Sequence, residues 1–393
     1  MSTRPKESLE KLWSKDFILI TLVNTFLFIG FQMLLPTLPI YAKRLGGNEA
    51  MAGLVIGIFT VSSVLIRPFA GRTADLYGRK GVFLAGLAIF ILTVLAYIWV
   101  PTVAVLLLFR FIHGFGWGSS STAVSTVASD IIPKSRLGEG MGYFGLTGTL
   151  AMALAPAVGL YMVSAYSFTY LFLTSAAMVA VSALLALAIN YHQVKKSVPK
   201  EAREPKPALL EKSAFRPTFV IFFVTMTYGA VVSFLALYAA KLGISNIGSF
   251  FTVYAISLMV ARPVFGRLAD KKGFDLAVIP GIIAVLITML ILFRAQALAW
   301  FLVAGVVYGI GFGAVQPSLQ AMAVMHVQPN RRGAANGTFY TGFDLGIGVG
   351  SILWGAVAQA AGYSVMYLGA ALPALISLVI YWFVGRPPGP TQE

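Results

Sequence analysis

The most regular feature of the sequence is a series of long apolar runs separated by short polar segments. A bilayer core needs roughly 20 consecutive apolar residues in a helix that crosses it. Backbone in lipid must satisfy its hydrogen bonds internally, so runs of this length predict helices. We number the predicted spans 1 to 12 in chain order. They lie at 17–40, 49–70, 81–100, 102–131, 140–165, 167–191, 217–240, 246–266, 276–296, 298–326, 335–361 and 363–385.

The composition agrees with a membrane protein. Apolar residues make up 58% of the chain and charged residues 11%, and the mean hydropathy is +0.83. A soluble domain is about half apolar and about a quarter charged. The chain has no Cys, which excludes disulfides and thiolate catalysis. The first apolar run has helix length and no small-residue cleavage site, so we interpret it as span 1 and not as a signal peptide.

The distribution of basic residues predicts the topology. With the N-terminus inside, the inner segments hold 22 of the 29 Lys and Arg residues, the outer segments hold 4, and 3 fall within spans. Basic residues mark the cytoplasmic side of membrane proteins. We therefore expect a multi-pass protein of the inner (plasma) membrane with both termini in the cytoplasm. The same bias explains the net charge of +15 without a nucleic-acid partner.

The polar stretch 192–216 divides the chain into two similar halves. It contains seven basic residues and three Pro residues and is predicted to be a cytoplasmic linker between residues 1–191 and 217–393. RPFAGRTADLYG at 67–78 matches RPVFGRLADKKG at 262–273, at an offset of 195 residues. The same offset aligns the glycines at 114, 116 and 118 with those at 309, 311 and 313. Parallel six-helix repeats place a substrate site at the interface between the halves, near the middle of the bilayer.

Three motifs give the chain a resemblance to a known family. GRTADLYGRK at 71–80, QMLLPTLPIYAKRLG at 32–46 and RFIHGFGWG at 110–118 are similar to motifs of the major facilitator superfamily. Its twelve-helix drug–proton antiporters and arabinose-exporter-like members are the most similar. The resemblance implies an all-α fold of two six-helix bundles related by pseudo-two-fold symmetry. It also implies a monomeric transporter, not an enzyme, that works by alternating access without a cofactor.

In this family the motif between spans 2 and 3 is a conformational latch. The resemblance implies that Gly71 lets span 2 approach span 11, that Asp75 caps the start of span 11, and that Arg79 pairs with Asp130. These contacts would hold the inner side closed in the outward-open state. The alternative is that these charges only anchor the topology. The residues assigned to the latch and to its second copy are Gly71, Arg72, Asp75, Gly78, Arg79, Lys80, Asp130, Arg267 and Asp270.

Span 5 contains a second family motif, AMALAPAVGL at 151–160. In drug–proton antiporters this stretch is Gly-rich around a Gly-Pro pair. Pro156 and Gly159 match that pattern, whereas Ala151 and Ala155 stand where the family has Gly. The match favours export, and the alternative is a kinked packing helix with no role in antiport.

Charged residues inside the membrane are the best indication of mechanism, because they are costly to bury. Asp344 is the acidic residue well inside a span, about nine residues into span 11 and roughly 14 Å from its inner end. Burial favours the protonated form of a carboxyl, so Asp344 is the predicted proton-coupling residue. Arg110 and His113, one turn apart in span 4, are predicted to bias it or to contact substrate. The alternatives are a structural ion pair for Asp344 and a satisfied core position for His113.

Uncharged polar and aromatic residues are predicted to line a roomy amphipathic cavity. Gln316 and Gln320 share one face of span 10 because they are four residues apart. Such a cavity suits an organic or amphiphilic substrate better than a small inorganic anion. The predicted cavity residues are Asn24, Gln32, Tyr228, Gln316 and Gln320, with Phe28, Phe31, Tyr143, Tyr254 and Tyr340 beside them.

These features lead to a proton-coupled exporter of drugs or amphiphilic small metabolites. No nucleotide-binding loop, His/Glu metal cluster or nucleophile elbow is present, so the proton gradient is the expected energy source. The first alternative is a proton-coupled uptake symporter for a sugar or an organic anion. The second is a membrane receptor or lipid-handling protein without coupling, against which the intramembrane Asp344 argues. The expected partners are a small-molecule substrate, protons and the lipid bilayer.

Overall fold

The computed structural model describes residues 11–133, 136–191, 211–325, 327 and 332–385, apart from the side chains of 75–77, 137–139, 270, 332–333 and 384–385. Span 1 consists of two helices, because the chain turns at residues 33–36. Most of the predicted limits agree with the helices within a few residues. The helices of spans 1 to 10 are Lys15–Gln32 with Thr37–Arg44, Glu49–Tyr77, Arg79–Ala96, Val103–Ile131, Leu137–Ala165, Phe168–Leu187, Phe215–Lys241, Gly248–Lys272, Asp275–Arg294 and Leu298–Met325.

Spans 11 and 12 follow each other without a loop between them, over the 49 residues Arg332–Ile380. At a rise of 1.5 Å per residue this length is roughly twice what a bilayer core requires. The backbone at Gly362 has φ 82° and ψ 168°, which breaks the helix. Glycine adopts this positive φ without a steric penalty. The break lies at the predicted boundary between 335–361 and 363–385, so the eleven long apolar helices among the described residues correspond to twelve spans.

Side-chain caps fix where several spans begin. Ser14 accepts a hydrogen bond from the backbone N–H of Phe17 at the start of span 1. Asn48 does the same for Met51 at 2.9 Å, at the start of span 2. Such caps satisfy N–H groups that have no partner within the helix. The span limits therefore follow from local sequence as well as from hydropathy.

The internal repeat of the sequence corresponds to a repeated helix contact in the structure. A Cβ on Gly118 of span 4 would collide with the backbone of Ser63 in span 2, and a Cβ on Gly313 of span 10 would lie 3.1 Å from the carbonyl oxygen of Leu258 in span 8. Ser63 and Leu258 are themselves 195 residues apart. Glycine at these positions lets the two helices of each pair approach closely. The two halves thus use the same pairwise contact at the repeat offset.

The halves meet through spans 2 and 11 and through spans 5 and 8. At the predicted outer end, a Cβ on Gly355 of span 11 would lie 2.8 Å from the carbonyl oxygen of Glu49, and Gly53 of span 2 abuts Ser351 just as closely. The hydroxyl of Tyr363 donates to Glu49 at 3.3 Å. Gly71, farther along span 2, has open space where a Cβ would stand. The halves are therefore in contact at the predicted outer end, whereas among the described residues none packs against Gly71 nearer the predicted inner end.

Candidate functional site

One ion pair joins the halves near the middle of the bundle. Nη2 of Arg67 in span 2 donates to Oδ2 of Asp344 in span 11 at 2.5 Å. The two side chains retain 20% and 27% of their exposure, so neither is sealed within the packed interface. Arg67 lies roughly 15 Å from the predicted inner end of span 2, at ten residues from its last residue. The pair therefore sits on the open side of the contact between the halves.

The glycines of span 11 explain why Asp344 faces the other half. Gly342, Gly346 and Gly350 lie at four-residue intervals and abut Thr218, Phe222 and Met226 of span 7. Gly348 and Gly355 lie on a second face, which contacts span 2. Asp344 is four residues before Gly348 and shares that face. The GFDLGIGVG sequence thus packs one face of span 11 within its own half and presents Asp344 to the other half.

Arg110 lies elsewhere, wholly buried between spans 2 and 4. Its Nε donates to the carbonyl oxygen of Val55 at 2.8 Å, and its guanidinium carbon lies 4.0 Å from the centre of the Phe59 ring. Its Nη1 is 3.3 Å from Nδ1 of His113, and the Tyr97 hydroxyl is 2.8 Å from the same nitrogen. Both groups can donate, so Nδ1 carries no proton and His113 is neutral with its hydrogen on Nε2. This cluster belongs to the N-terminal half alone.

The predicted pairing of Asp344 with Arg110 is not formed, because Asp344 bonds to Arg67. Arg110 instead receives its contacts from the backbone and aromatic rings of spans 2 and 4. Protonation of His113 at Nδ1 would break its hydrogen bond with Arg110 and place a second positive charge beside that guanidinium. In this conformation neither residue contacts the carboxyl of Asp344. Their roles in coupling stay predictions.

The C-terminal half contains a separate polar chain that begins at Arg262 in span 8. Nη2 of Arg262 donates to Oε1 of Gln316. Nε2 of Gln316 donates to Oε1 of Gln320 at 3.1 Å, and Nε2 of Gln320 donates to Oδ1 of Asn336 in span 11 at 3.3 Å. The i,i+4 pair predicted in span 10 is therefore the middle of a chain of side chains that runs toward the predicted inner end.

Aromatic rings pack against each other in both halves. On the N-terminal side, Phe31 stacks on Trp117 with ring centres 3.9 Å apart. On the C-terminal side, Tyr228 lies against Phe312 at 5.5 Å. Tyr340, one turn before Asp344 in span 11, packs against Phe343 with ring centres 6.1 Å apart. Phe31 and Tyr228 thus pack against other rings within their own halves, and their place in a cavity wall stays a prediction.

Three of the predicted cavity residues have buried hydrogen-bonding atoms without a protein partner. Nδ2 of Asn24 donates to Oγ1 of Thr147 at 2.8 Å, but its Oδ1 is buried without a partner. Oε1 of Gln32 and the hydroxyl of Tyr228 are also buried without a protein partner. Buried polar atoms are usually satisfied, so water or a ligand is the expected partner here.

The predicted latch is described only in part. Arg79 forms the predicted ion pair with Asp130, and the ammonium of Lys80 lies 5.7 Å from the centre of the Tyr191 ring. Gly78 has φ 99°, which ends span 2. The side chains of Asp75 and Asp270 lie outside the described residues.

The remaining latch residues form no ion pair with the other half among the described residues. Arg72 and Arg267 are exposed, and Gly71 has open space in front of it. The predicted approach of Gly71 to span 11 belongs to the state with a closed inner end. It therefore stays a prediction.

The span 5 motif packs against the break in span 1. Pro156 is buried within the helix, and Gly159 abuts the backbone of Met33, where span 1 turns. Small residues permit this approach. The packing accounts for the motif structurally, and its link to export stays a prediction.

Sequence reasoning missed Arg67, Arg262, Tyr97 and Asn336 as members of these polar groups. The repeat pattern held the signal for the first two, because an Arg inside a span precedes Pro in both copies. Tyr97 and Asn336 carried no such signal. Their involvement depends on which helices are neighbours.

The chain is similar to known membrane transporters in both sequence and fold. A family model described as Major Facilitator Superfamily matches residues 20–273 and 218–393. An uncharacterized MFS-type transporter of Methanocaldococcus jannaschii is 26% identical over 380 residues, covering 94% of this chain and 98% of that protein. The multi-drug resistance efflux pump PmrA homolog of Lactococcus lactis is 24% identical over 385 residues, covering 93% and 94%. The crystal structure of a variant of the nucleoside transporter NupG superposes with a TM-score of 0.75 at 17% identity, covering 93% and 98%.

Proposed function

Because this chain belongs to the major facilitator superfamily, we propose that it is a proton-coupled exporter of drugs or amphiphilic small metabolites. Membership makes the chain a multi-pass membrane transporter and not an enzyme. Export is supported by the Lactococcus lactis relative, whose name describes a multidrug efflux pump. Proton coupling is supported by the ion pair of Arg67 and Asp344 between the halves.

The ion pair supports coupling because it joins the two bodies that move during alternating access. Asp344 is the single acidic residue well inside a span, since every other Asp and Glu lies at or beyond a span end. An ionised Asp344 attracts Arg67 across the interface. A protonated Asp344 keeps a hydrogen bond at most, so the link between spans 2 and 11 weakens. Proton binding can therefore change the relative stability of the two conformations.

The cycle follows from which end is open. In the outward-open state a proton from outside reaches Asp344 and releases Arg67. After the inner end opens, water reaches Asp344, the proton leaves to the cytoplasm, and the pair with Arg67 forms as observed. Substrate then binds from the cytoplasmic side, and the cycle reverses. Each proton moves inward while substrate moves outward.

The test reconstitutes the wild-type chain and Asp344→Asn in liposomes and follows proton flux after substrate is added. The Asn variant has the shape of the protonated form and cannot release a proton. We expect it to lose substrate-driven proton flux while downhill exchange of substrate persists. Asp16→Asn, an acid at the start of span 1, is the matched control and should behave as wild type. If Asp344→Asn moves protons with substrate at the wild-type stoichiometry, Asp344 is not the coupling site.

A second candidate is a proton-coupled symporter for an organic anion. It is favoured by the balance of charges inside the spans, where there are three arginines, Arg67, Arg110 and Arg262, and one acid, Asp344. A proton and an anion that bind near each other attract, which favours their transport in the same direction. The liposome experiment separates the candidates, because an outward substrate gradient drives protons outward in symport and inward in antiport.

A further inference from the structure

Two arginines at equivalent positions of the internal repeat differ in their hydrogen-bond partners. Arg67 in span 2 and Arg262 in span 8 occupy the same position in the two copies of the repeat. Arg67 has a carboxylate partner across the interface, Asp344 in span 11. The position 195 residues before Asp344 is Thr149 in span 5, which is the helix that packs against span 8. Thr149 is neutral, and its hydroxyl donates within its own helix to the carbonyl oxygen of Gly145.

Span 5 therefore offers Arg262 no acid at the position that corresponds to Asp344. Its Nη2 is bonded to the neutral amide oxygen of Gln316, and its Nε is buried without a partner. Arg262 is half-buried, and a charge without a counter-charge is costly in a medium of low dielectric constant. None of the ion pairs between described residues includes Arg262.

The surroundings of Arg262 have the features of a ligand site. Tyr254 lies eight residues before Arg262 in span 8, on nearly the same face of the helix, and its hydroxyl is buried without a partner among the described residues. Tyr340 and Phe343 of span 11 pack against each other, with ring centres 6.1 Å apart. The two free donors, Nε of Arg262 and the Tyr254 hydroxyl, suit the oxygens of an anion, and the rings suit an apolar body.

We propose that Arg262 and Tyr254 form a binding subsite for the acidic group of an amphiphilic, aromatic carboxylate carried by this transporter. This inference rests on the proposed transport through the space between the halves, but not on its direction or its coupling ion. The carboxylate supplies the charge that Thr149 lacks. The aromatic side chains of spans 8, 10 and 11 contact the apolar part.

The test uses three probes of one shape and different charge: 1-naphthoate, the neutral 1-naphthamide and the cationic 1-naphthylmethylammonium. Equilibrium dialysis of the detergent-solubilised full chain measures the affinity of each probe at neutral pH. We expect naphthoate to bind about tenfold more tightly than the amide, as a charge-assisted hydrogen bond to a half-buried guanidinium implies. The cation should bind more weakly than the amide. This comparison on the wild-type chain needs no variant to fold.

Variants then assign the preference to Arg262. Arg262→Gln should bind naphthoate and naphthamide equally, and Arg262→Lys should keep part of the preference. Arg294→Gln, which removes an exposed charge at the far end of span 9, should leave the preference unchanged. The proposal is overturned if the amide or the cation binds the wild-type chain as tightly as naphthoate, if none of the three binds, or if Arg262→Gln keeps the preference.

The same probes separate this inference from the proposed coupling. Asp344→Asn removes the carboxylate near Tyr340 and should keep or increase the preference for naphthoate, whereas the proposed coupling requires it to lose proton flux. A preference for naphthoate without loss of proton flux would support the anion subsite and reject Asp344 as the coupling residue. Loss of proton flux without a preference for naphthoate would support coupling and reject the subsite.

Discussion

Single side chains decide how the two halves are linked, and Asp344 is the clearest case. It shares a face of span 11 with Gly348 and Gly355, and that face lies against span 2. The resulting bond to Arg67 is part-exposed, so its contribution to stability is small. Its functional importance is that it links the N-terminal half to the C-terminal half. It does not stabilise either half by itself.

The pair of Arg67 and Asp344 predicts a coupled effect on stability. Arg67→Gln and Asp344→Asn should each lower the melting temperature in detergent, because each leaves an unpaired charge. The double variant should lose less than the sum of the two, by an interaction free energy of about 1 kcal/mol. Pairing Arg110→Gln with Asp344→Asn serves as the control, since Arg110 and Asp344 share no contact. Additive losses for the first pair would show that the ion pair has no stabilising effect.

Thr149 provides a second prediction for a single side chain. Thr149→Asp places an acid at the position that corresponds to Asp344, where it can neutralise Arg262 across spans 5 and 8. We expect the affinity for naphthoate to fall about tenfold, because the new carboxylate competes for the guanidinium. Thr149→Asn is the uncharged control and should change the affinity little. Equal losses in both variants would attribute the effect to shape and not to charge.

At the scale of helices, glycine contacts determine which end of the bundle is closed. A Cβ on Gly53 would lie 3.2 Å from Cα of Gly355 and would collide with the backbone of Ser351. Gly53→Ala should therefore push spans 2 and 11 apart at the predicted outer end and favour the outward-open state. Single cysteines introduced near that end of this Cys-free chain should become more reactive to an impermeant maleimide. Gly142→Ala, at a position with open space, is the control and should leave reactivity unchanged.

The predicted latch makes the opposite prediction for the other end. If Asp75 caps span 11 when the inner end closes, Asp75→Asn should cut transport, leave expression intact and increase the inward-open population. Cysteines near the predicted inner end should then react faster with maleimide. Arg79→Gln, which breaks the pair with Asp130 inside one half, should act in the same direction. Normal transport and unchanged reactivity in the Asp75 variant would reduce the motif to a topology anchor.

The whole molecule is constrained by its charge distribution. With 22 basic residues on the predicted inner side and 4 on the outer side, both termini and residues 192–216 should face the cytoplasm. A reporter fused after residue 205 should be active as a cytoplasmic fluorescent protein and inactive as alkaline phosphatase. A fusion after residue 46, between spans 1 and 2, should show the reverse. Phosphatase activity at residue 205 would overturn the predicted orientation.

Sequence alone determined the helices, their number and the family. Hydropathy sufficed because each span must be apolar over a fixed length, which is a property of consecutive residues. The division at Gly362 and the internal repeat were also readable, since both depend on local sequence or on a comparison of the chain with itself. Asp344 could be selected as a candidate functional residue because an acid inside a membrane is rare on energetic grounds alone.

The tertiary structure decided which side chains meet. Arg67, Arg110 and Arg262 all look alike in sequence as charges inside spans, yet one pairs with an acid, one is sealed within its own half, and one has only an amide partner. Their difference depends on the rotation of each helix and on its neighbours, which are set by glycine contacts between residues far apart in the chain. Hydropathy carries no information on those contacts, because every helix face in a membrane protein can be apolar.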